Sequence, residues 1–269
     1  MNELERICHE NRVRIIERTY LAGKNCAHVG GSLSAVDILT VLYHKVLQRP
    51  VDIELRDRFI LSKGHASLAL YCALESIGLL TKEEVDTFEK NGSHYTAHAK
   101  KELAKGLEFS GGSLGLGTSY AVGVAHALKM KNNPARVYTL LGDGECNEGI
   151  IWEAMMYANH QNLNNLTVIV DHNHFQADGP IEMVMNTDSL ADKFAAFGFA
   201  TQVVDGHSID GLTKVFDSLV EGKPNAIIAE TVKGKGVSFM ENKTSWHFAP
   251  LPESRYKKAI TELMNEGED

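Results

Sequence analysis

Cysteine is sparse, four residues in 269, and Cys8, Cys26, Cys72 and Cys146 form no CxxC pair. That spacing argues against a zinc framework. With no secretory signal ahead of them, the thiols point to a reduced, cytoplasmic protein rather than one stapled by disulfides. Long apolar runs are also missing, none approaching the roughly 20 residues that span a bilayer, so no membrane segment is expected. Blocks of like charge are missing too. The formal net charge is −8 and no run of one sign exceeds a few residues, which leaves no footprint for nucleic acid. What remains is a globular composition, 43% hydrophobic with 23 glycines, enough for one large core. A single α/β domain over residues 1–269 is expected.

The most informative stretch is Val137 to Gly179, VYTLLGDGECNEGIIWEAMMYANHQNLNNLTVIVDHNHFQADG. The apolar run Val137 to Leu141 ends in Gly142-Asp143-Gly144, and the run Leu166 to Val170 ends in Asp171-His172-Asn173. A helix of about 12 residues fits between them, completing a parallel βαβ unit. Its handedness brings both strand C-terminal ends to one edge of the sheet, the edge at which open α/β sheets bind ligands. Asp143 and Asn173 are therefore expected side by side. A carboxylate and an amide oxygen are hard ligands suited to Mg²⁺ or Ca²⁺, and Mg²⁺ is commonly shared with phosphate oxygens. Gly142 and Gly144 allow a sharp turn and a close approach to that phosphate. Glu148 and Glu153, near the start of the following helix, suit its dipole.

The GDG, the Asn about 30 residues on, and the wording GDGECNEGIIWEA with DHNHFQADG resemble the transketolase family of thiamine diphosphate enzymes. The fold implied is the thiamine diphosphate-binding fold, a three-layer parallel sheet with helices on both faces. The resemblance makes Asp143 and Asn173 ligands of the divalent ion (Mg²⁺, or Ca²⁺ or Mn²⁺) that bridges the cofactor's diphosphate, with the backbone carbonyl of Phe175 as a third. Gly142, Gly144 and Glu145 join the cofactor contacts. Glu148 matches a glutamate at the contact between paired subunits, where it couples two active sites.

The remainder of the chain carries further motifs of the same family. A helical stripe over Glu3 to Leu21 precedes a glycine-rich loop, His28-Val29-Gly30-Gly31-Ser32, and a helix from near Ser34 through Leu47. The loop is similar to the family's SGHPG, with Val29 in place of Pro, and makes His28 an active-site histidine. A strand Arg58 to Leu61 runs into Ser62-Lys63-Gly64-His65-Ala66-Ser67 and a helix through Ile77. A helix N-terminus suits an anion, and the likeness to GHxS assigns His65 to the diphosphate. Thr81 and Glu84 form a capping box for an exposed helix over Thr81 to Lys90. Of His94 and His98, the latter keeps the family's spacing to Gly106 and Leu107-Glu108-Phe109, and so takes the catalytic role. Ser110 to Gly117, SGGSLGLG, resembles the TGSLGQG turn that lines the cofactor, placing Ser113, Leu114 and Gly115 against it. Gly111 and Leu116 depart from that pattern. A small apolar helix, Thr118 to Lys129, follows.

Beyond Gly179 strands and helices alternate, as in a continuing parallel sheet. Helices are expected near Ser189 to Phe197, Ile209 to Val220 and Glu253 to Asn265, and strands over Thr201 to Val204 and Ala226 to Thr231. The stretch VKGKGVSFMEN with Trp246-His247 resembles the segment that delivers another histidine to diphosphate and substrate, His247. Lys233 and Lys235 on their own read equally as a solvated turn.

The resemblance covers nearly the whole chain but only the N-terminal half of a full transketolase. The glutamate that activates the cofactor's aminopyrimidine belongs to a pyrimidine-binding domain not found before Asp269. The implied protein is the N-terminal subunit of a split transketolase, transferring a two-carbon ketol unit between sugars or sugar phosphates with a C-terminal-type partner in an α₂β₂ assembly. A subunit of deoxyxylulose-phosphate synthase or of an oxo-acid dehydrogenase is the rival enzyme reading. A non-catalytic cofactor-binding subunit is the rival of another class.

Overall fold

A computed structural model describes residues 1–50, 52–187 and 189–266; Val51, Asp188 and residues 267–269 of the expected 1–269 domain lie outside the described residues. The chain begins with α1 (Glu3–Ala22) and α2 (Val29–Val41), then β1 (Arg58–Leu61), α3 (Ser67–Ser76), the single-turn α4 (Lys82–Val85) and α5 (Leu116–Met130). The central unit follows as β2 (Val137–Gly142), α6 (Gly149–His160) and β3 (Leu166–His172). After it come α7 (Ile181–Val184), α8 (Leu190–Ala196), β4 (Ala200–Asp205), α9 (Ile209–Asp217), β5 (Asn225–Glu230) and α10 (Glu253–Glu266).

The five strands form one sheet in the order β1-β2-β3-β5-β4, every neighbouring pair parallel. Side chains alternate across it, as strand geometry requires. Tyr138 and Leu140 of β2 pack with residues of α1, α2, α3, α9 and α10, whereas Val137 and Leu141 pack with residues of α5, α6 and α8. Three layers result. Because β2 and β3 are covered on both faces, they read in the sequence as continuous apolar runs rather than alternating ones.

Three expected boundaries move. The second helix starts at Val29, not near Ser34, and ends in a wider turn over Leu42–Val46. Gly30 and Gly31 are thus in its first turn, where they permit close packing. A Cβ on Gly30 would lie 2.8 Å from the Trp246 carbonyl oxygen, and one on Gly31 would lie 3.4 Å from the His65 ring. Near Thr81 the capping box forms, but the helix lasts one turn. Val85 and Phe88 are drawn into the core and the backbone reverses at Glu89 with φ of 56°. Finally, β3 continues through His172, so Asp171 and His172 pair with Ala229 and Glu230 instead of forming a turn.

The N-terminus of α5 is seated against the end of β1 through Gly117. A Cβ there would lie 2.6 Å from Ser62 Cα, while the Ser62 hydroxyl accepts from the Thr118 N–H at 2.9 Å. Gly117→Ala is expected to destabilise the chain by about 1–3 kcal/mol through overpacking, measured as a lowered urea midpoint with unchanged slope. An unchanged midpoint would show that the two backbones separate freely.

Candidate cofactor and active site

The C-terminal ends of β1, β2, β3 and β5 open onto a cleft of about 350 Å³, whose walls include His65, Asp143, Asn173 and Lys233. Parallel pairing explains the convergence. Gly142 is in register with Asp171, and β1 pairs with β2, so segments far apart in the chain meet at one edge.

Four histidines from four segments close over this edge. The ring centroid of His28 lies 5.4 Å from that of His65, 5.6 Å from His98 and 5.4 Å from His247, and the rings of His65 and His247 are 5.3 Å apart. His94 is not among them; it pairs with Glu102 at 3.2 Å. Burial, reinforced by His98, Lys233 and Lys63, lowers the pKa of His28 to about 4. Burial with Lys233, His28 and Lys63 lowers His247 to about 3, and burial with Lys63 holds His65 well below the usual range. These three rings are neutral near pH 7. The buried Nδ1 of His28 has no hydrogen-bond partner among the described residues.

Asp143 is nearly inaccessible, with Oδ1 accepting from the Gly144 N–H at 2.7 Å and Oδ2 from the His174 N–H at 2.6 Å. Burial, then the nearby Asp171, push its pKa up. The Asn173 amide donates to Asp171 at 3.3 Å and accepts from the Phe175 N–H at 3.1 Å. Beside them, Gln176 Nε2 is buried without a partner among the described residues. A Cβ on Gly144 would meet the Gln176 side chain at 2.7 Å.

The other expected site residues fall as follows. Leu114 and Phe175 line the cleft, whereas Ser113 is exposed outside it. Gly115 sits at φ of 83°, and its N–H donates to Glu145 at 2.8 Å. Glu145 spends its carboxylate inside the protein, accepting also from Ser62 and from the Gly142 N–H. It ties the three turns together. Glu148 is exposed at the N-cap of α6.

Two lysines give no sign of their role in the sequence. Lys63 is fully buried and ion-paired with the equally buried Asp171, which also accepts from Ser34 Oγ at 2.6 Å and from Thr231 Oγ1. Lys233 is not in a solvated turn but buried, donating to the Gln176 carbonyl at 3.2 Å and lying 3.0 Å from His247 Nδ1. Lys235, by contrast, is half-exposed beside Glu241. The one hint for the two buried lysines is a position just after a buried strand, where Lys63 meets Asp171 and Lys233 meets the Gln176 carbonyl.

Burial, and then the charge of Lys63, lower Lys233 to a pKa of about 8. Its charge therefore opposes folding below a pH of about 8. Stability is regained as pH rises from there to the unfolded value near ~10.4, because the unfolded chain binds more protons in that window. Relative to the wild-type chain, Lys233→Met is expected to be more stable at about pH 7 than at about pH 10, by up to about 3 kcal/mol, measured by urea unfolding. A difference independent of pH would refute the lowered pKa.

A family model described as the transketolase, thiamine diphosphate binding domain matches residues 7–266. The chain belongs to this family. Over 266 residues it is 38% identical to one of the subunits of the apulose-4-phosphate transketolase of Phocaeicola vulgatus, covering 97% of this chain and 93% of the relative. It is also 38% identical over 263 residues to "6-deoxy-6-sulfo-D-fructose transketolase subunit SqwG" of a Clostridium species, covering 96% and 95%. Against the solved transketolase of Campylobacter jejuni the TM-score is 0.86 at 30% identity, covering 98% of this chain but 43% of that one. The chain thus spans about two-fifths of a full-length transketolase and nearly all of these two single-subunit relatives. It is a transketolase-type enzyme subunit with a thiamine diphosphate-binding α/β fold.

The cleft fits that cofactor. It offers a buried carboxylate, a buried lysine, an amide donor with no hydrogen-bond partner among the described residues, and glycines at the approach.

Proposed function

We propose that this subunit holds the diphosphate half of the cofactor and transfers a two-carbon ketol unit from a ketose or ketose phosphate to an aldose or aldose phosphate. It does so with a partner that brings the pyrimidine-binding domain, in an α₂β₂ assembly. The observation that carries this reading is the placement of buried Asp143 and Asn173 opposite Lys233 and the four-histidine cluster in one cleft.

Thiamine diphosphate, when bound, supplies the nucleophilic carbon that carries the two-carbon unit between donor and acceptor. The chain's own residues do the rest. The Asp143 carboxylate, the Asn173 amide oxygen and the Phe175 carbonyl provide a hard oxygen set for Mg²⁺, which Ca²⁺ or Mn²⁺ also suits. Lys233 neutralises diphosphate charge and the free Gln176 amide donates to it, with His65 at the same wall. Glu145 fixes the Gly115 and Gly142 turns so that small residues face the cofactor. His28, His98 and His247 face the sugar, and the neutral rings of His28 and His247 each offer it one N–H donor and one lone pair as hydrogen-bond partners. Glu148, exposed at the N-cap of α6, faces a neighbouring subunit. The four thiols are unpaired, which supports a cytoplasmic setting.

Both of the single-subunit relatives are named for ketoses with an anionic tail, a phosphate in one and a sulfonate in the other. In this chain Lys63 is paired with Asp171 and Lys233 is assigned to the diphosphate, so the grip on such a tail is assigned to the partner. Purified chain, purified partner and their mixture should be assayed with Mg²⁺ and cofactor: ketol transfer is expected only in the mixture. Transfer by the chain alone would overturn the proposal. Full activity of the mixture with Asp143→Ala would reduce the chain to a scaffold.

A further inference from the structure

Outside the cleft, at the ends of β3 and β5, two imidazoles converge on one carboxylate. His172 Nδ1 lies 2.8 Å from Glu230 Oε1, and His174 Nε2 lies 2.9 Å from Glu230 Oε2. The two rings are 4.0 Å apart between centroids, and the three ligand atoms all lie within 4.8 Å of one another. We propose that His172, His174 and Glu230 form a binding site for a borderline transition-metal cation, best Zn²⁺, with water completing a tetrahedron.

The donor set and geometry carry this. Two imidazoles and one carboxylate with an open fourth position make an ordinary zinc-binding set, with metal–ligand distances near 2.0–2.2 Å. Ligand atoms around such an ion are about 3.4 Å apart by tetrahedral geometry. One oxygen of Glu230 would ligate, so one hydrogen-bonded pair would open by about half an ångström and the other ligand atoms would draw together by rotation of the half-exposed Glu230 and His174 side chains.

The backbone beneath is already fixed. His172 and Glu230 are in register across β3 and β5, and the His172 carbonyl accepts from Thr231 N–H at 3.0 Å. His174 has φ of 62°, a conformation that favours glycine, yet it is held there from both sides. Its N–H donates to Asp143 and its carbonyl accepts from Ile181 N–H at 2.9 Å. A histidine is thereby presented next to His172 at a position where a smaller residue fits the backbone better. Asp143 and Asp171 add negative potential nearby.

This site is chemically distinct from the all-oxygen set at Asp143 and Asn173, since imidazole selects Zn²⁺ where carboxylate, amide and carbonyl select Mg²⁺. Its occupant would tie the end of β3 to the end of β5 beside Thr231 and brace the turn that carries Asn173. Metal binding here is a property of the chain itself and is independent of ketol transfer.

The test is titration of the purified chain, without added thiamine diphosphate and in excess Mg²⁺, with Co²⁺ followed by visible absorption and with Zn²⁺ followed by calorimetry. One equivalent of each ion is expected, with intense tetrahedral Co²⁺ bands that Zn²⁺ displaces. His174→Gly suits the left-handed backbone and should stay folded, yet bind Zn²⁺ at least about tenfold more weakly; Glu230→Gln should lose affinity by a similar factor. Raising Mg²⁺ further should leave the Zn²⁺ affinity within about threefold, since Mg²⁺ prefers the all-oxygen set. Unchanged affinity in both His174→Gly and Glu230→Gln would overturn the proposal, as would Zn²⁺ binding that weakens in proportion to Mg²⁺, which would assign the ion to the cleft. Absence of saturable binding to the wild-type chain would also overturn it.

Discussion

Asp143→Asn should abolish Mg²⁺-dependent binding of thiamine diphosphate, weakening it by a factor on the order of 100 or more, while leaving the chain folded. The two effects separate because of where Asp143 sits. The residue is 2% exposed, and burial and the neighbouring Asp171 both penalise its charge. Replacing it with an isosteric amide removes that like-charge pressure. One of the two N–H donors, from Gly144 or His174, then loses its acceptor at a cost of about 1–3 kcal/mol. The contributions oppose one another, so the unliganded chain should melt close to wild type. Ligand binding has no such compensation. Removing one partner of a desolvated charge pair costs about 2–5 kcal/mol or more, which is the loss of affinity predicted. Calorimetric titration in Mg²⁺ provides the check; wild-type affinity in the variant would remove Asp143 from the metal set.

The largest effect on stability is expected from Lys63→Met. Lys63 and Asp171 are both fully buried, and Asp171 owes its lowered pKa to Lys63 first among the groups that oppose its burial. Removing the ammonium leaves a carboxylate in the protein interior, which costs about 3–5 kcal/mol when a buried pair is broken from one side. The hydrogen bonds from Ser34 and Thr231 soften this but do not supply a charge. Lys63→Met combined with Asp171→Leu should recover much of the loss, since an apolar pair of similar volume is often neutral relative to a buried ion pair. Urea unfolding of the single and double variants decides the matter. A single variant within about 1 kcal/mol of wild type would mean that the pair is solvated.

Much of this is legible in the sequence because parallel sheets announce themselves. The apolar runs of β2 and β3, and the GDG between the first of them and α6, are enough to place Asp143 and Asn173 on one edge. The start of α2 is hidden for a physical reason: glycines at positions 30 and 31 normally signal a turn, but here they make room for Trp246 and His65, residues distant in the chain. The brevity of α4 is hidden likewise, since a capping box says how a helix starts and not that Val85 and Phe88 will be pulled under. Lys63, Lys233 and Gln176 carry no local mark of their roles because local sequence does not reveal burial. A lysine next to a glycine looks solvated until the fold closes over it. Ser113, expected as a cofactor contact, lies outside the cleft in the unpaired chain.

The central claim is that this chain grips thiamine diphosphate by its diphosphate through a divalent ion. Thermal unfolding of the purified chain with thiamine diphosphate or unphosphorylated thiamine, each with Mg²⁺ or with a chelator, tests it most directly. A ligand that binds only the folded state raises stability by about 2.7 kcal/mol at about 100 times its dissociation constant. A rise in melting temperature is expected with thiamine diphosphate and Mg²⁺ together, and none with thiamine or with the chelator. Equal stabilisation by thiamine, or a rise that survives chelation, would contradict the claim.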